Sequence, residues 1–487
     1  MDRPVGLYDR DREWADLARF VTAPNDGPRL GVVYGRRRQG KSYLLRAIAA
    51  QSDGLHYQAL EEERAPALSR IGRLVANDAG ITGGSVVYED WSAAVRGLID
   101  RAGARRPIIL DEFPYLLAQS AELPSVIQAA FDDSRSGQAP SFKLLLCGSA
   151  LSVMSDLPSG QKALRGRAIL DLALRPFDFR QAAEFWGITD PETAFLVHAV
   201  VGGTPGYRAL LDGQTPSGAG NFFEWLSATV LNPSHAMFRE ADYLLTEDPA
   251  ISRRALYQSV LAAIAEGHST RSAVGRLLRR DDSALRHPLL VLERAGFIRR
   301  DEDLWLAKRP LLRIDDPYLR FYFAVVRPNI ARFEALETAE VWSEVQSTFV
   351  SNVLGPHFEQ LARVWTERFA SPVTLGGRPS RVGFTQLNDA LARSRVELDV
   401  VAIAGNLNAK RPRVLAIGEA RGGAALSTVA DLRKLERGRA LLGERAEVSR
   451  AKLLLFSRAG FDRELTGIAA TRRDVELVDL VRLYAGE

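Results

Sequence analysis

The sequence predicts an α/β chain: a mostly parallel sheet built on a glycine-rich loop with a helical lid, then three helices closed by a β-hairpin, then a second α/β domain. Three observations predict it. The apolar strand Gly31-Val32-Val33-Tyr34 runs straight through the turn GRRRQGKS into a helix with an apolar face, Ser42 to Ala50. Two later apolar runs, Pro107 to Leu110 and the FKLLLC stretch, stop at the polar groups Asp111-Glu112 and Cys147-Gly148-Ser149, as parallel strands do where a ligand meets their carboxyl ends. Beyond about residue 245 the composition turns helical until FIRR, where alternation returns.

The remaining composition bounds the answer. At 487 residues and 46% hydrophobic, the chain has material for about three domains. The 64 Lys and Arg exceed the 60 Asp and Glu by only four charges, too few to declare a nucleic-acid partner without a local patch. One cysteine, Cys147, excludes an internal disulfide framework and is expected to be a buried structural thiol in a reducing, cytoplasmic setting. The start lacks a signal-peptide core and no run approaches the ~20 apolar residues of a membrane span, so no membrane partner is expected. The six histidines have no metal-ligand spacing.

The loop comes first in the chain. Gly35 to Ser42 fits G-x-x-x-x-G-K-[ST], in which glycines let main-chain N–H groups curl around a phosphate at a helix N-terminus. Gly35, Arg36, Arg37, Arg38, Gln39 and Gly40 would supply those donors, Lys41 the charge at the β- and γ-phosphates, Ser42 a ligand to Mg²⁺, and Tyr43 the opening of the helix. The three arginine side chains are expected to point outward to solvent or to an acid. The ligands implied are ATP and Mg²⁺.

Asp111 and Glu112 end the next strand. A P-loop hydrolase needs one carboxylate there for the Mg²⁺ shell and a second to polarise water, which suits Asp111 and Glu112 in that order. Ser149, after the third strand, either senses the γ-phosphate or holds the water, or else caps the following helix.

The order GRRRQGKS, LDEFPYL, CGSALSVM, LRGRAILDLALRPF and GGTPGYRALL resembles the archaeal-type P-loop ATPases of the STAND/AAA+ superfamily that carry a winged helix and a nuclease-like C-terminal domain of the PD-(D/E)xK type. The resemblance spans nearly the whole chain. It implies ATP hydrolysis; a place for Tyr8 and Arg10 of GLYDRDREWADL near the adenine; and a role for Arg167, with Arg165 beside it, at the γ-phosphate in cis or across a homo-oligomer boundary. By composition Tyr8 and Arg10 also read as a solvated helix start, and Arg167 as a surface arginine paired with an acid. The turn Gly202-Gly203-Thr204-Pro205-Gly206 would belong to the lid.

The expected divisions are 1–170 for the ATPase core, 171–245 for the lid, 246–330 for the winged helix and 335–487 for the last domain. The stretch from SRRALYQ to LERAG reads as three helices, the third ended by Gly296, and FIRR pairs with LWLA as the wing. Arg276, Arg279, Arg280, Arg286 and Arg294 could grip DNA phosphates, although Asp281 and Asp282 interrupt them. DPYLRFYFAVVRPN reads as packing rather than a base-stacking platform. In the last domain Glu359, Asp399 and Glu419 form a candidate second metal site. Arg421 stands where a nuclease of that type has lysine, and arginine cannot give up its proton to act as a base. An active nuclease, a degenerate binding domain and unrelated strand-end charges all fit that pattern. The leading functional expectation is an ATPase whose nucleotide state is reported to the later domains. The alternatives are a slow signalling switch and a DNA-binding regulator with a vestigial nucleotide site.

Overall fold

A computed structural model describes residues 1–487 except 25, 160–162, 247, 252, 306–309, 391 and 408. Contacts divide the chain into two compact units, Met1–Pro176 with Asp242–Ser252, and Phe177–Ala241 with Arg253–Glu487.

The first unit is built on β1 (Arg29–Tyr34), β2 (Leu55–Gln58), β3 (Pro107–Asp111), β4 (Lys143–Gly148) and β5 (Ala168–Ala173). They form one parallel sheet in the order β2-β3-β4-β1-β5. With GRRRQGKS between β1 and the helix Lys41–Ser52, this is a P-loop α/β fold. β3 and β4 are buried at every position, which is why they read as unbroken apolar runs. Alternate residues feed two layers. Val32, Ile108, Leu110 and Leu146 pack with Trp91, Leu98 and Phe131 on one face; Val33, Ile109, Leu145 and Cys147 pack with Trp14, Leu17, Leu44 and Ile48 on the other. β5, at the edge, exposes every second residue.

β1 and β4 are neighbours in space but far apart in sequence, and the crevice at their carboxyl ends is where such sheets take ligands. The expected boundary at 170 cuts β5. The expected lid also divides: 177–241 joins the second unit, while 242–252 returns to the first, where Asp248 accepts the Ser152 hydroxyl at 2.5 Å and its N–H at 3.4 Å.

The second unit contains the helices Arg254–Ala265, Arg271–Leu278 and Asp282–Arg294, followed by the antiparallel pair β6 (Ile298–Asp301) and β7 (Leu311–Ile314). The strand expected at LWLA is not the partner of β6. Leu306 and Ala307 lie outside the described residues, and Leu304 donates its N–H to Phe384 instead. The cause is Asp303, whose carboxylate accepts the Thr385 hydroxyl at 2.9 Å and the Gln386 N–H at 2.7 Å, drawing this stretch onto the next sheet. The aromatic run from Tyr318 to Val326 is buried packing, with Arg320 within it.

The second sheet holds β8 (Arg381–Asp389), β9 (Ser394–Ala404), β10 (Arg413–Arg421), β11 (Lys452–Ser457) and β12 (Val475–Val478) in the order β12-β11-β10-β9-β8. β8, β9 and β10 pair antiparallel, and β10, β11 and β12 pair parallel. Leu432 and Leu435 of the helix Val429–Leu442 pack with Leu398, Ile417 and Leu453 of the sheet.

Candidate functional site

The loop after β1 is shaped by what a side chain could not do. A Cβ on Gly35 would lie 2.5 Å from the Leu174 carbonyl oxygen and 2.7 Å from Gln39 Oε1, so only glycine lets the loop close against the end of β5. Arg38 at φ 67° and Gly40 at φ 87° are both left-handed, and such turns aim successive N–H groups into one hollow. Gly40 then starts the helix that begins with Lys41 and Ser42. Tyr43 is half exposed and turns its hydroxyl toward Gly6.

Lys41 is only 4% exposed and its ammonium donates to the Arg36 carbonyl at 3.0 Å, across the loop. Burial lowers its pKa from the ordinary value, and the nearby Cys147, Glu112 and Asp111 oppose that shift. The lysine thus sits between the loop and the acids at the end of β3, which β4 separates from β1.

Asp111 is fully buried. Burial alone would raise its carboxyl, yet His56, the Cys147 thiol and the Ser42 hydroxyl together hold it down at about 2. Oδ1 accepts the Glu112 N–H at 3.0 Å. Oδ2 faces His56 Nε2 at 3.5 Å, and neither atom has a hydrogen-bond partner among the described residues. An ionised, buried carboxylate oxygen with an open lone pair beside Ser42 suits the water shell of a Mg²⁺ ion, so the residues fit that metal. Burial pushes the Cys147 thiol well above its usual value, with Asp111 adding to the shift.

Glu112 takes the left-handed conformation, φ 54° and ψ 43°, at the start of the helix Phe113–Gln119. A non-glycine residue pays for that shape with strain, and such strain gathers at functional positions. The turn delivers its carboxylate to Ser149, whose hydroxyl donates to Oε2 at 3.0 Å and whose N–H donates at 3.3 Å. Ser149 makes no cap bond to the helix Leu151–Met154, which follows Ala150.

Arg10 is 7% exposed and bonds the Arg175 carbonyl at 2.8 Å and Glu13 at 3.0 Å, so it ties the N-terminal segment to the end of β5 rather than standing in solvent. Tyr8 lies next to Leu7, which is in the core with Leu44 and Leu174. Arg167 forks onto Asp132 at 2.7–3.0 Å and bonds the Ala163 carbonyl, which is the surface ion pair; Arg165 is exposed. His56 and the Cys147 contact with Asp111 had no signal in the sequence, because they join β2, β3 and β4 across long insertions.

In the second unit Asp399 on β9 and Glu419 on β10 stand on adjacent strands, one step beyond the Val400–Gly418 pair. Burial raises both carboxyls, Asp399 well above its usual range with Glu359 and Glu419 adding repulsion. Asp399 accepts the Ala420 N–H at 2.8 Å, and its own carbonyl accepts from Arg363 at 2.9 Å. Glu359 turns to Arg313 at 3.7 Å and Arg363 at 4.0 Å. Among the described residues no three His, Cys, Asp or Glu groups are placed to hold a metal, so Glu359 does not complete a three-carboxylate cage with the other two.

Arg421 is not directed at the pair. It bonds Asp431, which is 2% exposed. The cation facing Glu419 is Lys434, from the helix Val429–Leu442, with Nζ 2.6 Å from each carboxylate oxygen. Arg276, Arg279, Arg280 and Arg286 are exposed.

No protein-family model matches the chain. A curated relative, the uncharacterized protein MJECL04 of Methanocaldococcus jannaschii, is 26% identical over 341 residues, covering 68% of this chain and 71% of that protein. Among solved structures, the Walker-type ATPase PABY2304 of Pyrococcus abyssi is 20% identical with a TM-score of 0.49, covering 66% of this chain and 97% of its own. The ORC2 protein of Aeropyrum pernix, in ADPNP and ADP complexes, is 17% identical with a TM-score of 0.41, covering 69% and 97%.

Proposed function

We propose that the first unit binds ATP with Mg²⁺ and hydrolyses it. The observation that carries this reading is Lys41, buried between a hollow of left-handed loop residues and the Asp111-Glu112 pair. The loop N–H groups and the helix start would hold the β-phosphate, and Lys41 would leave the Arg36 carbonyl for the β- and γ-phosphate oxygens. Ser42 and Asp111 would hold the metal, which supplies charge neutralisation between the β- and γ-phosphates. Glu112 would orient a water molecule and take its proton as oxygen bonds to the γ-phosphorus and ADP departs. Ser149 keeps Glu112 engaged until then.

Calorimetry with ATP at saturating Mg²⁺, followed by a phosphate-release assay, tests the reading. Wild type should bind and turn over, Lys41→Ala should lose binding, and Glu112→Gln should bind without turnover. Absence of heat from the wild type would end it. Binding with no turnover, or function that survives Lys41→Ala, would favour the vestigial regulator. Turnover unaffected by DNA would favour the signalling switch.

A second reading concerns the other unit: divalent-metal-dependent phosphodiester cleavage at Asp399 and Glu419. Lys434 favours it, because a lysine faces Glu419 although the strand position holds Arg421. Asp399→Ala and Lys434→Ala should each abolish Mn²⁺- or Mg²⁺-dependent cleavage of DNA or RNA; no cleavage by the wild type would make the pair a structural one.

A further inference from the structure

We propose that a basic groove in the second unit binds the sugar-phosphate backbone of nucleic acid without reading its sequence. The groove, open to solvent and about 800 Å³ in volume, runs between the end of the helix Val429–Leu442, the start of β11 and the turn before β12. Four cations line it, Arg439, Arg450, Lys452 and Arg473, against two acids, Glu436 and Asp474.

The acids are already engaged. Asp474 accepts from Arg439 at 2.9 Å and from Arg472 at 2.9 Å, and Glu436 accepts from Arg472. Lys452 donates to the Arg473 carbonyl and lies 3.4 Å from Glu476. Arg450 and Arg473 are exposed and make no ion pair among the described residues. The groove therefore presents two unspent guanidiniums, the groups whose planar forks match phosphate oxygens.

Three features select the ligand. The lining has no aromatic ring and nothing apolar larger than Val448, so neither a stacked base nor a protein's hydrophobic anchor finds a seat. Two carbonyls just past the helix, which would repel an anion, are covered: Arg411 donates to the Gly443 oxygen at 2.6 Å and to the Ala446 oxygen at 3.1 Å. The free cations flank an open trough rather than an enclosed cage, which suits an extended polyanion.

Glu436, Arg439, Ala440 and Gly443 share one face of the helix by their spacing, while Lys434, on a different face, reaches Glu419. The groove is thus separate from the carboxylate pair and does not depend on the ATPase reading.

The test is fluorescence anisotropy of the full chain with a labelled 30-nucleotide strand and the matching duplex, both of arbitrary sequence, across a KCl series. Arg450→Ala/Arg473→Ala should weaken binding at least tenfold near 0.1 M salt and reduce the slope of log K against log[salt] by about 1.4–1.8, two phosphate contacts' worth, with the double Lys variant restoring the slope. Circular dichroism melting should be unchanged, since both side chains are exposed. Lack of binding by the wild type, equal slopes for wild type and the Ala variant, or equal competition by poly-glutamate of the same charge would overturn the proposal.

Discussion

The Glu112 carboxylate accepts the Ser149 hydroxyl at 3.0 Å and its N–H at 3.3 Å, so the second acid of β3 is held by the residue that follows β4. For Glu112 to take a proton from water this grip must loosen. Hydrogen bonds to a charged group contribute about 1.5–3 kcal/mol, the scale of a tenfold or larger rate effect. Ser149→Ala should therefore raise basal ATP turnover by about tenfold or more with unchanged nucleotide affinity, whereas Glu112→Gln should lower it by about 10²-fold or more. Steady-state phosphate release together with calorimetry checks both. Slower turnover in Ser149→Ala would show that the serine orients water rather than restraining the acid.

Gly35→Ala should destabilise the first unit. The new Cβ would press on the Leu174 carbonyl, which is backbone and cannot swing away. Overpacking of this kind costs about 1–3 kcal/mol. Denaturant melts with and without Mg-ATP should show a lowered midpoint, and nucleotide affinity should fall with it because the loop can no longer close.

The buried pair His198 and His357, with Nδ1 and Nε2 2.9 Å apart, predicts an acid limit on the second unit. Burial lowers His198 to about 4 and, with repulsion from His198 and Arg320, lowers His357 well below the ordinary value. Unfolded histidine titrates near ~6.5, so between that value and the folded one the unfolded chain binds more protons. The stability contributed by the neutral rings is complete above about pH 6.5 and is lost as pH falls toward 4, at up to ~1.4 kcal/mol per pH unit for each ring. Urea midpoints from pH 7.5 to 4.5 should trace this slope, and the double Gln variant should flatten it.

Asp399 predicts the opposite sign. Its carboxyl is raised by burial and by Glu359 and Glu419, so the folded chain holds a proton that the unfolded chain gives up near ~4. Stability drains as pH rises from about 4 through the raised value, and the full cost is present above it. Asp399→Asn should remove that cost and raise Tm at pH 8 by ~2–4 °C for each kcal/mol relieved, while the gain should vanish at low pH. Calorimetric melts at pH 8 and pH 4.5 check both halves.

The sequence carried the loop and its two acids because each lies at one strand end, where apolar runs, glycines and charges fall within a few residues. His56 carried no mark of its place, since only the β2–β3 pairing brings it beside Asp111, some fifty positions on. Arg421 drew attention as a substitute for lysine, but a fold that lays the helix Val429–Leu442 over β10 sends it to Asp431 and brings Lys434 to Glu419. The second strand of the hairpin was misplaced for a similar reason. LWLA has the right alternation, yet Asp303 finds its donors on β8, so β6 pairs further along at Leu311–Ile314. Local pattern yields elements; the partners of a polar side chain depend on which strand arrives next to it.

β1 has both its neighbours, β4 and β5, more than a hundred positions downstream. During synthesis its apolar LGVVY emerges from the ribosome long before either partner exists. At ~5–20 residues per second the bare strand waits on the order of ten seconds, a window in which chaperone capture or clumping competes with closure of the sheet. Slowing translation before residue 143 should therefore cost soluble yield, and slowing it after 173 should cost far less.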